Sequence, residues 1–239
     1  MLKLKTLFFS TSLLVMVTIL VPNKGYTSET YEVSSDYHPV DLYDPYEKFN
    51  RKVFSFNKAL DKAIARPITK VYQKVIPKWG RERVGSFFRN LATPITFIND
   101  ILQGNKNNSA FISFWRFTLN STIGIGGLFD IAEVAGLKHN KEDFGQTLGM
   151  YGAKPGPYLM IPILGPSTVR DFTGTVVDTA ADPFNYILPR DYLYAKAGGN
   201  LIQTRSEKDE LIEDIERTSL DPYATIRSLY LQSRANSIN

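Results

Sequence analysis

Tyr46, Phe49, Val53, Phe56, Leu60 and Ile64 are spaced by three, four, three, four and four residues. Side chains so spaced line one face of an α-helix, because 3.6 residues complete a turn. The rhythm returns in Val84, Phe87, Phe88, Leu91, Ile95, Ile98 and Leu102. The punctuation is helical too. Asp44-Pro45-Tyr46-Glu47 offers an aspartate at an N-cap, a proline at the first helical position and a glutamate for a capping box. Asp182-Pro183-Phe184 and Asp221-Pro222-Tyr223 repeat that start at irregular distances, which fits shared capping chemistry and not a structural repeat. Arg66-Pro67 ends or kinks the first helix, and a second runs from near Pro67 to Pro77. Thr93-Pro94 caps or kinks a third, which stops at Gln103-Gly104-Asn105. Ser206 to Arg217 reads as an acidic amphipathic helix with Leu211, Ile212 and Ile215 on its apolar side.

Strand signals are scarce. Thr173 to Val177 is the one plausible strand, and the alternating segments of an outer-membrane barrel are absent. Residues 155–166 are apolar but broken by Pro155, Pro157, Pro162 and Pro166, which leaves neither a regular helix nor a central strand. A loop of that kind packs in a core or lies against lipid. Residues 109–129 are the most hydrophobic part of the body, with Arg116 their only charge. Arg116 together with Gly124, Gly126 and Gly127 favours a hairpin or a buried helix pair over a membrane span. The body is predicted to be mainly α.

Lys3 and Lys5 precede an apolar run from Leu7 to Val21 that Pro22 and Gly25 break. A positive start followed by a run shorter than the roughly 20 residues of a bilayer span reads as an export signal over residues 1–28. Gly25-Tyr26-Thr27 offers small residues for cleavage, though threonine substitutes poorly for alanine, so an uncleaved anchor stays open. Residues 29–43 read as a polar tether, 44–235 as the helical domain and 236–239 as a tail.

Hydrophobic residues make up 43% of the 239, enough for a sizeable core or a membrane-associated body. There is no cysteine, which excludes disulfides, thiolate metal sites and a thioether-linked lipid anchor. The only imidazoles are His38 in the tether and His139 in a polar loop, both read as surface histidines, so a His-rich metal centre is excluded. The net charge of +4 includes Lys3, Lys5 and Lys24 of the export signal, so the remainder carries only +1, which speaks against nucleic acid. Charge is nevertheless concentrated. Between Asp44 and Asn90 there are 12 basic residues against four acids, and Lys58, Lys62, Arg66, Lys70, Lys74 and Lys78 fall every fourth position. Such a row is either a solvated helix face or a line of cations meeting phosphate headgroups.

No catalytic constellation is legible. A Gly-x-Ser-x-Gly elbow is missing, and Gly124-Ile125-Gly126-Gly127 lacks both the lysine of a phosphate loop and the spacing of a dinucleotide fold. Asp178 and Asp182, one helical turn apart, are the nearest approach to paired carboxylates. No catalytic residue, metal ligand or cofactor is assigned.

Several short motifs then occur in order. Asp44-Pro45-Tyr46-Glu47-Lys48-Phe49-Asn50-Arg51 leads to Phe56-Asn57, Leu60-Asp61, Arg66-Pro67, Asn90-Leu91, Leu102-Gln103-Gly104 and Arg116-Phe117 with Asn120-Ser121-Thr122. Asp143-Phe144-Gly145-Gln146-Thr147-Leu148-Gly149, Gly156-Pro157-Tyr158, Leu164-Gly165-Pro166-Ser167 and Arg170-Asp171 follow. From about Asp41 to Gln232 the chain resembles the MlaA (VacJ) family of Gram-negative outer-membrane phospholipid-transport proteins.

The resemblance implies a ring of amphipathic helices in the periplasmic leaflet of the outer membrane, with a central amphipathic pore. It implies removal of phospholipid mislocalised to the outer leaflet, and its transfer to a soluble MlaC-like periplasmic carrier while the protein is bound to a trimeric porin. A family member commonly carries a lipidated cysteine after its signal, and this chain has none. Attachment then rests on amphipathic helices, porin contact or an uncleaved signal. For a passive conduit, Asn50, Asn57, Asn90, Arg116 and Asn120 are candidate headgroup contacts, since amides and guanidinium bind phosphate oxygens. Phe49 and Tyr158 are candidate walls or gates. For each of these residues, helix capping or packing is the competing role. A scaffold that holds a porin without moving lipid is the alternative function, and a lipid-modifying enzyme lacks its nucleophile and base.

Overall fold

The computed structural model describes residues 43–104 and 106–238. The export segment, the tether apart from Tyr43, and Asn239 of the tail lie outside the described residues. The body is helical, as the periodicity predicts. Helix α1 (Glu47–Leu60) passes through a π-helical turn, Asp61–Ala65, into α2 (Arg66–Val75). Pro67 therefore does not end the helix. A proline clashes with the carbonyl four residues back, and the wider π turn before it makes room for the ring. Next come α3 (Lys78–Leu102), a 3₁₀ turn (Lys106–Asn108), α4 (Ser109–Thr122), α5 (Ile131–Val134) and α6 (Phe144–Met150). After the strands β1 (Tyr158–Ile161) and β2 (Gly165–Thr168) follow α7 (Val169–Ala181), α8 (Phe184–Ile187), α9 (Arg190–Glu207), α10 (Asp209–Thr218) and α11 (Pro222–Ile238). The C-terminal tail is thus part of α11 as far as Ile238.

Four local expectations are corrected. Asp44 does not cap α1, whose N-cap is Tyr46 without a side-chain bond. It accepts hydrogen bonds from Asn50 Nδ2 (2.8 Å), Arg227 Nη1 (2.8 Å) and the Tyr223 hydroxyl, so tertiary partners displace the cap. Asp221 caps α11 by accepting the Ala224 amide (3.2 Å), and Asp182, just before the Pro183 N-cap of α8, accepts the Phe184 amide (3.0 Å). The proline-broken stretch forms an antiparallel hairpin with Tyr158 opposite Thr168 and Ile161 opposite Gly165. Its prolines sit just outside β1 or in β2, where a missing N–H is tolerated. Thr173 to Val177 lies inside α7. Thr168 caps that helix through the Asp171 amide (3.2 Å), and Gly174 lets it approach α6 so closely that a Cβ there would lie 2.3 Å from the Gly145 nitrogen. Helix packing overrides the β preference of Thr and Val. Finally, residues 109–129 are one helix and a glycine turn, and α4 packs back along α3.

Successive contacts close a circuit. α1 lies on β1, β2 on α7, α7 on α6, α6 on α3, α3 on α9, and α9 on α2, which is continuous with α1. α11 braces α6 and β2. The hydrophobic core is small, comprising Val53, Tyr158, Met160, Tyr223, Tyr230 and Leu231 where α1, β1 and α11 meet.

Candidate functional site

Among the described residues the usual distribution of side chains is inverted. Nine hydrophobic residues are buried against 23 polar or charged ones, so the interior cannot be an oil-like core. Meanwhile Ile64, Ile68, Val71, Val75 and Trp79 form an exposed apolar stripe at helical spacing along α2 and into α3. Phe111, Phe114 and Trp115 of α4 are exposed and in ring contact, with centroids 5.7–6.1 Å apart, and Ile123, Ile125, Leu128 and Phe129 extend that surface. Exposed apolar patches of this size mark surfaces that meet a membrane or another apolar partner.

The polar interior is tightly paired. Asn50, fully buried, donates to the Tyr158 carbonyl (3.0 Å) and accepts the Met160 amide (2.9 Å). Asn57 does the same for the Ile161 carbonyl (2.9 Å) and the Ile163 amide (2.7 Å). Seven helical residues rise about 10.5 Å and three strand residues about 10 Å. The two amides therefore meet the free edge of β1 in register and bolt α1 to it. Asn90 donates to Ser121 Oγ (2.9 Å) and touches Gly127, which is left-handed at φ 93° and has no room for a Cβ. Arg116, nearly fully buried on α4, binds Asp130 (2.7 Å), Glu133 (3.2 Å) and the Leu137 carbonyl. Asn120 donates to Asp130 (2.9 Å) and accepts the Ala132 amide (2.9 Å). Asn90, Arg116 and Asn120 thus hold the chain from Ser121 to Leu137 against α3 and α4. Tyr158 is fully buried between Tyr223 and Tyr230. Phe49 stands apart from these residues. It is 62% exposed on the outer face of α1.

The basic row divides. Lys58 and Arg66 meet Glu216 (3.5 and 2.7 Å), and Lys70 meets Asp209 and Glu213 (both 2.8 Å), which ties α1 and α2 to acidic α10. Lys62, Lys74 and Lys78 are exposed. Asp178 and Asp182 do not converge. The former accepts from Asn99 (2.8 Å) and the Phe144 amide (2.9 Å), the latter from Lys196 (2.5 Å).

Arg234, Asp143 and Asp171, assigned no role in the sequence reading, are buried together. Arg234 of α11 clamps Asp143 (2.6 and 2.9 Å) and Asp171 (2.9 Å). Burial works against the Asp143 charge, but the Arg234 hydrogen bonds and charge prevail and hold that carboxyl at about 2. The loop 138–142 packs against α3 and α6 through Gln103 and Gln146, with Lys138, Asn140 and Lys141 exposed. Burial brings Lys141 below the usual ammonium range, with Arg234 adding to the effect while Asp143 and Asp178 oppose it. Yet the Lys141 side chain remains exposed to water. Burial and the Lys141 charge bring Lys208, at the α9–α10 junction, down to about 8. Burial together with Arg116, Arg89 and Lys141 brings His139 to about 4, so the surface histidine of the sequence reading is in fact a neutral, half-buried one. Glu142 is pushed up to about 7, chiefly by burial.

An outward apolar surface over a charged, ion-paired interior defines an amphipathic helical protein, and among the described residues no helix is long and apolar enough to cross a membrane. The chain belongs to the MlaA family, whose model, the MlaA lipoprotein, matches residues 42–237. The intermembrane phospholipid transport system lipoprotein MlaA of Escherichia coli (strain K12) is 33% identical over 195 residues, covering 79% of this chain and 76% of that protein. The Haemophilus influenzae protein of the same name is 32% identical over 200 residues, 82% of this chain and 79% of its own length. An uncharacterized Rickettsia conorii protein is 42% identical over 200 residues, 83% of this chain and 79% of that one. A solved structure described as the structural basis for maintenance of bacterial outer membrane lipid asymmetry superimposes with a TM-score of 0.72 at 34% identity. It covers 82% of this chain and 99% of its own.

Proposed function

We propose that this protein removes phospholipid mislocalised to the outer leaflet of the outer membrane and hands it to an MlaC-like periplasmic carrier, without chemistry on the lipid. The observation that carries the reading is the inversion of polar and apolar surfaces. A phospholipid crossing a leaflet needs a wet path for its headgroup and an apolar medium for its tails. The polar, ion-paired interior suits the first, and the apolar exterior of α2 and α4 suits a ring seated in the periplasmic leaflet. The same exterior supplies attachment in a chain that has no cysteine to lipidate. Lys62, Lys74 and Lys78 are the members of the basic row left to face anionic headgroups. Phe49, exposed at the start of α1, borders the lipid path or the trimeric porin. Asn50, Asn57, Asn90, Arg116, Asn120 and Tyr158 serve the path by fixing its walls, since the donors of the first five are engaged by the protein and Tyr158 is packed within it.

The test is outer-leaflet phospholipid, measured with a membrane-impermeant amine-reactive label in cells that lack the protein. Accumulation is expected. Labelling equal to that of the parent cells would overturn the conduit reading and favour a porin scaffold.

A further inference from the structure

Among the described residues, four other than glycine have a left-handed backbone: Asn107 (φ 55°), Asn108 (φ 62°), Ile125 (φ 53°) and Ile163 (φ 68°). The asparagines are ordinary there, because a short carboxamide tolerates that conformation. The isoleucines are not. A β-branched side chain crowds the backbone at positive φ, and glycine or asparagine would relieve it. Both isoleucines are also exposed to water, so neither buries its side chain in return for the strain. An asparagine from a neighbouring helix holds each turn in place. Ile163 is the middle residue of the three, 162–164, that close the hairpin between Ile161 and Gly165. Asn57 of α1 accepts the Ile163 amide (2.7 Å) and donates to the Ile161 carbonyl (2.9 Å). Ile125 stands in the glycine turn after α4, where Asn90 of α3 donates to Ser121 Oγ (2.9 Å) and reaches the Gly126 carbonyl (3.5 Å).

We infer that Ile125 and Ile163 are the tips of two apolar wedges that enter a lipid leaflet at the boundary of its acyl chains. Strain that the surrounding chain enforces, and that no contact within the chain offsets, points to a contact made outside it. Three observations favour lipid over a protein as the occupant. Each tip continues an apolar surface. Ile125 lies between exposed Ile123 and Leu128, and Asn57 ties Ile163 to α1 next to exposed Phe56, whose helix runs on into the stripe of α2. Neither turn carries charge, since no acid or base occurs from 117 to 129 or from 155 to 169, and the polar rim of a protein interface is missing. The backbone donors are already engaged. Pro162 and Pro166 have no N–H, and Asn57 takes that of Ile163. Around Ile125 the amides of Gly124, Gly126, Gly127 and Phe129 bond within the turn or to α4 at 2.7–3.1 Å. A turn can approach hydrocarbon only when its polar groups are satisfied in this way. The inference rests on the proposed seating of the apolar exterior in a leaflet and names two residues that enter it.

The chain has no cysteine, so one introduced thiol carries a polarity-sensitive fluorophore at one known position. The full chain, labelled as Ile125→Cys, Ile163→Cys, Val71→Cys or Asp214→Cys, is mixed with vesicles of phosphatidylethanolamine and phosphatidylglycerol. Emission from both tips, and from Val71 on the apolar stripe, should shift to the blue and be quenched by brominated acyl chains. Asp214, exposed on acidic α10, should show neither. Ile125→Asn and Ile163→Asn then separate strain from packing. Each should leave Tm in neutral detergent unchanged or higher, yet weaken vesicle flotation about tenfold, the gain from burying one isoleucine. Circular dichroism checks the fold of every variant, and the asparagine variants carry the test where a labelled one unfolds. Tips that stay unshifted while Val71 shifts overturn the inference and leave the seating of the exterior intact. A shift at the tips that requires a trimeric porin in the vesicles overturns it in favour of a protein contact. A fall in Tm of several degrees for the asparagine variants returns the isoleucines to packing. No shift at any position, Val71 included, overturns the membrane seating itself, and outer-leaflet phospholipid in cells reads the conduit separately.

Discussion

Replacing Arg234 with Met keeps the volume of the side chain and removes the one group that joins α11 to both α6 and α7. In the folded protein Arg234 makes three short contacts to two carboxylates, each almost entirely buried. Without it, Asp143 keeps the Gln146 amide (3.0 Å) and Gln146 Nε2 (3.2 Å), and Asp171 keeps Arg170 (3.0 Å) and the Tyr230 hydroxyl (2.6 Å). Asp143 then carries a buried charge with no ion-pair partner. Breaking a buried pair from one side costs about 3–5 kcal/mol. For a domain of this size, 1 kcal/mol moves Tm by about 2–4 °C, so a fall of roughly 6–20 °C is expected in detergent micelles by circular dichroism. The pH dependence gives a second, independent reading. Asp143 sits at about 2 against 3.8 for an unperturbed carboxyl, a contribution on the order of 2 kcal/mol. Because the folded value is the lower one, this stability is complete above pH 5 and is lost as pH falls from 4 towards 2. The variant has lost it already, so the gap between the two proteins should narrow over that interval. Adding Asp143→Asn to Arg234→Met should restore part of the loss at neutral pH. A Tm change under 3 °C, or a gap of constant size from pH 7 to pH 3, would refute the reasoning.

Asn50→Ala leaves the Tyr158 carbonyl and the Met160 amide unpaired in a buried place, at about 1–3 kcal/mol each, and should lower abundance. Asn57→Ala, at a less buried position, should cost less, as thermal melts would show. Gly174→Ala places a methyl 2.3 Å from the Gly145 nitrogen, where neither backbone can yield, and should cost 3 kcal/mol or more, read as loss of protein from membranes. Phe49→Ala, at an exposed position, should leave abundance and melting unchanged while altering outer-leaflet phospholipid or porin co-purification; a drop in Tm of several degrees would return Phe49 to a packing role. Replacing Lys62, Lys74 and Lys78 with Gln should weaken binding to anionic vesicles by about 1 kcal/mol per charge, less at high salt, whereas Lys70→Gln, whose ion pairs are half exposed, should change stability by under about 1 kcal/mol.

The candidate site was legible in its residue types and not in its contacts. Asn50, Asn57 and Asn120 stand out in the sequence as polar groups on or beside apolar helix faces, and all three are engaged in the interior. Their partners lie on β1 and in the turn around Asp130, and a carboxamide pairs with backbone as readily as with phosphate. The row of cations was visible at its four-residue spacing, but half of it meets α10 about 140–160 positions later in the chain. Lys138-His139-Asn140-Lys141 has the composition of a surface turn, and no local signal distinguishes it from one. Only the helices packed beside it, through Gln103 and Gln146, half-bury His139 and Glu142.

What the sequence determined by itself was part of the helical grammar: α1 to α3 and α10 as helices but not α7 or α9, the starts at Asp182 and Asp221, and the stops at Gly104 and Pro77. These are short-range matters of backbone geometry and capping, decided within a few residues. Tertiary structure decided which way the helices face. The 3.6-residue rhythm shows that α1, α2 and α4 each have an apolar side, and an apolar side is stabilised as well by lipid tails as by a protein core. Here the apolar sides turn outward because the interior is already filled by Arg116, Arg234, Asp143, Asp171 and their partners, which must find one another to be buried at all.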